Sequence, residues 1–273
     1  MATFKAHASW VGLCLWGLSA FCFSCSKRPE DVFGTLSPRP LPSISRVSPS
    51  GGIAAPDDLT HRVAEVEVFG DQPPSNAARV QVHGQRVTVN QRTYDLAVGD
   101  AEALGVEVAK AGVVILSFDL NVYFAQTAAL LSILDDLDVD VWVQAAIEHA
   151  AYPLILKDEP GFRKWLDEPR PGKIRVIQRA DGFEVQTNMG KLAGLDRNGP
   201  SIPIRGGRFD LATLRKSLQT VKSRFPDAPD SCLVPSYGME WRSIAAALNG
   251  FYAAPKQRFF GQLCLVFPRP LPK

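Results

Sequence analysis

Hydrophobic and polar positions fall into a repeated order along this chain, and the clearest instance is the stretch Val113–Ala146. It opens with the short β-branched run Val113–Phe118, too brief for a helix and suited to a buried strand. Apolar residues at Leu130, Leu131, Ile133, Leu134 and Leu137 then follow a helical spacing. Asp135, Asp136 and Asp138 close that segment, and Val139–Ala145 reads as a second strand. Strand, helix and strand of this size predict one β-α-β unit with parallel strands and a right-handed crossover.

The flanking pattern fills out a domain. Arg62–Val68 alternates as an edge strand, and Arg79–Asn90 alternates again as a hairpin turning at Gly84. Asp100 stands at the N-cap position of a helix that shows Leu104 and Val108 to a core. The charged, proline-punctuated segment 158–172 reads as an interdomain linker. The order then restarts. Residues 173–188 form a hairpin with Asp181-Gly182 at its turn, and Met189–Gly207 is a Gly- and Pro-rich insertion. Asp210 caps a helix with Leu211, Leu214, Leu218, Val221 and Phe225 on one face. Ser231–Val234 is a strand, Met239–Phe251 a helix with Trp241 in its apolar stripe, and Leu263–Phe267 the last strand. The expected fold class is α/β (α+β): two tandem small domains, 61–157 and 173–268. Each is ββ-α-β-α-β with two helices on one face of a mixed sheet, as a duplication produces.

The N-terminal pattern differs. Lys5 precedes the uncharged stretch Ala8–Ser26, closed by Lys27 and Arg28. Residues 1–26 therefore read as an export signal, as a lipoprotein signal with Cys25 lipidated, or as an uncleaved anchor, which needs roughly 20 residues. All three place the remainder outside the cytoplasm. Residues 27–60 are a Pro- and Ser-rich tether, and its pentapeptide Pro38–Pro42 (PRPLP) recurs at Pro268–Pro272.

Composition narrows the functional classes. A net charge of +2 gives no basic stripe for nucleic acid. The five cysteines lack metal-ligand spacing, so no metal or cofactor is expected. No phosphate-binding loop, nucleophile elbow or zinc-protease motif occurs, so the chain is not expected to be an enzyme. Glu148-His149 reads as solvated surface, and Asp135, Asp136, Asp138 and Asp140 as a polar helix end without the glycine and glutamate of a calcium loop. Cys232 and Cys264 lie in strands flanking one crossover, and either a disulfide or two buried thiols fits them.

Val113–Asp119 with Tyr123-Phe124, the Asp181-Gly182 hairpin, Phe209–Leu214 and Phe225-Pro226 together resemble the periplasmic domain of the ExbD/TolR biopolymer transport proteins, in two tandem copies. The resemblance covers most of residues 62–157 and 173–267. It implies a non-enzymatic scaffold or accessory subunit of a proton-motive-force-linked envelope system. Implied partners are ExbB/TolQ-like channel proteins, TonB/TolA-like proteins or peptidoglycan, with a membrane contact through the N-terminal anchor and a homodimer. Asp119 and Tyr123 are the implied partner contacts, Asp119 reading otherwise as a turn cap. Two departures stand out. Ala8–Ser26 holds no acid, so proton conduction is not expected of this chain. In the second copy Pro235-Ser236 replaces the acid. A structural lipoprotein binding peptidoglycan, with no motor, is the competing expectation.

Overall fold

The computed structural model describes residues 67–269 apart from 148, 171, 195 and 196. The expected signal, Cys25 and the tether lie outside these residues. Among the described residues no helix is long and apolar enough to cross a membrane.

The first half runs β1 (Ala78–His83), β2 (Arg86–Val89), β3 (Arg92–Asp95), α1 (Ala101–Ala111), β4 (Val113–Phe118), a 3-10 turn (Phe124–Thr127), α2 (Ala128–Asp136) and β5 (Asp140–Gln144). Then come β6 (Ala151–Lys157) and α3 (Glu159–Asp167). The second half runs β7 (Ile174–Arg179), β8 (Gly182–Thr187), β9 (Gly190–Lys191), β10 (Ile202–Pro203), α4 (Leu211–Arg224), β11 (Asp230–Pro235), α5 (Trp241–Asn249), β12 (Tyr252–Ala254), β13 (Gln257–Arg258) and β14 (Gln262–Val266).

Neither half keeps to the expected ββ-α-β-α-β order, since β3, β6 and α3 are added in the first and β9, β10, β12 and β13 in the second; β4 does pair parallel to β5, as the β-α-β reading requires. The halves do not form two separate sheets. Twelve strands make one continuous sheet, in the order β10-β8-β7-β11-β14-β6-β5-β4-β1-β2-β3 with β9 on β8. The cause is β6, which lies antiparallel to β5 and parallel to β14. Its sequence AYPLILK is apolar on both faces of the strand, as an inner strand requires. Pro153 within it stands opposite Trp142.

The segment expected as linker 158–172 is instead largely α3. Asp158 caps it by accepting a bond from the Gly161 N–H at 2.7 Å, and Pro160 occupies the first turn, where no N–H is needed. Residues 62–66 of the expected edge strand lie outside the described residues, and Glu67 and Val68 belong to no strand. Asp100 takes the expected N-cap position of α1, but its side chain makes no cap bond; its carboxylate accepts from the Asp95 N–H instead.

The main core joins α1, α2, α4 and α5 to one face of the sheet, with Leu104, Leu130, Leu214, Leu233, Leu248 and Leu265 all buried in it. Strand alternation sends Cys232, Val234, Cys264 and Val266 to the other face, where Phe162, Trp165 and Leu166 of α3 cover them. Trp165 Nε1–H also donates to Asp230 at 2.8 Å. Close packing appears at Gly182, whose φ is +146° and where a Cβ would stand 2.2 Å from the Ile202 carbonyl oxygen on neighbouring β10.

Cys232 and Cys264 are directly opposite across β11 and β14 and form a disulfide beneath α3. Ellman titration of unreduced, denatured protein is expected to find neither thiol. Replacing both by serine closes no loop across the 32-residue separation, at an expected cost of about 3–4 kcal/mol. Two reactive thiols at these positions would refute the bond.

The α4 cap gives a second expectation. Burial pushes the Asp210 carboxyl up, but bonds from the Thr213 N–H and hydroxyl and the nearby Arg205 guanidinium outweigh it and hold the group below the usual carboxylate range. A depressed folded pKa contributes stability above the unfolded value near 3.9, lost as pH falls through the lower folded value. Asp210→Ala is expected to cost about 0.5–2 kcal/mol at pH 7, in urea unfolding, and progressively less at pH 3 and below. A cost unchanged in acid would contradict the assignment.

Candidate functional site at the joint between the halves

The loop after β4 leads into the 3-10 turn and α2, and the loop after β11 leads into α5. These are equivalent places in the two halves, and they pair with each other. The Phe124 N–H donates to the Met239 carbonyl at 2.8 Å, and the Trp241 N–H donates to the Val122 carbonyl at 2.9 Å. Tyr123 and Glu240 are the antiparallel partners between them. A further bond runs from the Ala125 N–H to the Tyr237 carbonyl at 3.1 Å.

Trp241 sits at the centre of this clasp, only 1% exposed. Its indole stacks on Phe118 at a centroid distance of 3.7 Å and meets Phe124 edge-on at 5.5 Å. Its N–H donates to Thr127 Oγ1 at 3.1 Å, and the Thr127 hydroxyl donates to the Phe124 carbonyl at 2.8 Å. A buried indole is thereby satisfied by residues of the other half, so its burial and its polarity both bind the halves together.

The segment at 67–71 adds a second seam. Asn249 of α5 donates to the Glu67 carbonyl at 3.1 Å and accepts from the Phe69 N–H at 2.8 Å. Asp71 exchanges backbone bonds with Ala151, accepts from the Tyr252 hydroxyl at 3.0 Å, and pairs with Arg258 at 3.2 Å. Burial, with Asp71 beside it, pushes the Tyr252 phenol far above its ordinary value and keeps it a donor.

Between these seams lies an apolar cavity of about 310 Å³, bounded by Phe118, Val143, Tyr152, Trp241 and Ala245, with Asn249 and Arg242 at its margin. Arg242 is engaged with Glu240 and Asn249 with the 67–69 backbone. Among the described residues no group of three His, Cys, Asp or Glu side chains could hold a metal ion.

Asp119 directly follows β4 and pairs with His83 at the end of neighbouring β1, Nδ1 to Oδ2 at 2.5 Å, on the surface. The backbone N–H of Asp119 donates to the Val82 carbonyl. His83 escapes a sequence reading because it sits at a hairpin turn; its signal is that a polar residue stands at the end of β1 and another just past the end of β4. Tyr123 is 44% exposed, beside Leu120 at 71% and with Tyr237 at 45% on the opposing loop. Asp119 and Tyr123 thus belong to one exposed rim around the clasp, whereas Cys232 and Cys264 lie on the other face of the sheet. His149 is exposed. Asp135 and Asp136 are bonded to Arg269 rather than free.

Trp241→Ala is expected to cost about 3–5 kcal/mol by urea unfolding, since it empties the joint and removes the indole N–H that Thr127 accepts from. Tyr123→Ala, whose side chain is half exposed, is expected to cost less than about 1 kcal/mol. Equal costs would contradict a joint centred on the indole.

No protein-family model and no curated protein matches this sequence.

Proposed function

We propose that this chain is a non-enzymatic cell-envelope protein, related in form to the periplasmic part of ExbD/TolR transport proteins, acting as scaffold or accessory subunit of an envelope system. What supports this reading is a strand-helix-strand-helix-strand succession that recurs in both halves, with the loops before the second helix of each clasped at Val122–Phe124 and Met239–Trp241. Two repeats in one chain stand in for the two subunits of a dimer. A disulfide at Cys232–Cys264 fits an oxidising compartment. The extended network of buried aromatic and aliphatic side chains at the joint serves rigidity, which a scaffold needs.

Partner contact is assigned to the rim of Asp119, Leu120, Tyr123 and Tyr237, where aromatic and apolar side chains stand exposed around a rigid centre. The sheet edge at β3 offers a second mode, in which a partner strand extends the sheet. Neither mode needs a proton path through this chain.

The test is co-purification from envelope membranes with an ExbB/TolQ-like channel protein or a TonB/TolA-like protein, alongside sedimentation with purified cell wall. Recovery of an envelope protein is expected, and the pair Asp119→Lys and Tyr123→Asp is expected to weaken it at least ten-fold, about 1.4 kcal/mol, with the melting temperature unchanged. Sedimentation with cell wall and no protein partner would favour the structural lipoprotein. Failure of both assays would overturn the scaffold reading.

A further inference from the structure

The cavity between the two seams takes its walls from both halves: Phe118, Val143 and Tyr152 from β4, β5 and β6, and Trp241, Ala245 and Asn249 from α5. Exposed Leu120 and Arg242 stand at its mouth, whereas Val143, Tyr152 and Trp241 are buried. Its volume of about 310 Å³ is twice the roughly 150 Å³ of an apolar cavity that stays dry and admits benzene. A molecule of two fused rings fits such a space. Most of its lining is apolar, as small-molecule sites are, with a few polar groups left to fix orientation.

The polar side chains around it are engaged, with one exception. Gln144 Nε2 donates to the Ile147 and Ala150 carbonyls, and Asn249 bonds the 67–69 backbone. The Trp241 N–H reaches Thr127, and Arg242 pairs with Glu240. Among the described residues the Tyr152 hydroxyl has no hydrogen-bond partner, in a side chain only 1% exposed. Neighbouring Tyr252, its ring centroid 5.7 Å away, donates to Asp71. Burial pushes the Tyr152 phenol far above its ordinary value, although the Arg215 charge lowers it, so the hydroxyl keeps its proton and is a donor. A buried donor without an acceptor is unfavourable, and a ligand that supplies the acceptor relieves it. The apolar surroundings favour an uncharged acceptor over a carboxylate. We propose that this cavity binds a small, uncharged heteroaromatic molecule of two fused rings, which lies against the Phe118 and Trp241 wall and accepts a hydrogen bond from the Tyr152 hydroxyl. The occupant touches both halves, so binding adds contacts across the joint and stabilises it. Such a site goes beyond the envelope reading and does not depend on it.

Quinoline and naphthalene have one shape and differ in a single ring nitrogen, an acceptor that is uncharged at pH 7. Isothermal titration of each into the full chain is expected to show saturable one-to-one binding, with quinoline raising the melting temperature. Tyr152→Phe keeps the ring and removes the hydroxyl. It is expected to weaken quinoline at least about five-fold and to change naphthalene by less than about two-fold. Ala245→Leu fills the cavity and is expected to weaken both probes at least about ten-fold. A melting profile like the parent's verifies that each variant is folded, and Tyr152→Phe, which leaves no unpaired hydroxyl, is expected to melt no lower than the parent. Absence of saturable quinoline binding overturns the proposal, as does equal weakening of the two probes by Tyr152→Phe. Undiminished binding to folded Ala245→Leu places the probes elsewhere and likewise overturns it.

Discussion

The structure depends on one strand. Without β6, the first half would end at the open edge of β5 and the second at the open edge of β14, each with a row of unpaired backbone groups. By pairing antiparallel on one side and parallel on the other, β6 satisfies both edges and joins the two halves into one sheet. Everything else at the joint follows from that placement. It brings Tyr152 into line with Tyr252 at a centroid distance of 5.7 Å, and it leaves α3 to cover the disulfide on the far face.

The clasp makes the merger specific. A shared strand alone fixes neighbours through nondirectional ladder bonds, whereas the Trp241 indole needs both a ring to stack on and an acceptor for its N–H. Phe118 and Thr127 supply these from the first half. Asn249 does the same for the 67–69 backbone, using both ends of one amide. The Trp241 indole and the Asn249 amide thus have partners on the other side, which raises the cost of separating the halves beyond the apolar area lost.

Local pattern made the individual elements legible. Val113–Phe118 is read to the residue because a β-branched run bounded by Gly112 and Asp119 admits one interpretation. The α4 stripe and the Asp210 cap follow from 3.6-residue spacing and cap chemistry, and Trp241 was placed in the core by the same spacing. The merged sheet was not legible. Proline at 153 and 160 argues locally for irregular chain, yet Pro153 is accommodated within β6 and Pro160 sits in the first turn of α3, where a missing N–H costs nothing. The pairing of Cys264 with Ile155 joins residues more than a hundred positions apart, and no local period encodes that. Asp119 was singled out by resemblance, but its partner His83 emerges only once β1 is seen beside β4.

If β6 makes the halves one folding unit, heat unfolds them together. Differential scanning calorimetry of the oxidised protein reads this directly through the ratio of calorimetric to van't Hoff enthalpy. The account predicts a single transition with a ratio of about one. Two resolved transitions, or one broad transition with a ratio of about two, would show that the repeats unfold separately and that the shared strand does not join them.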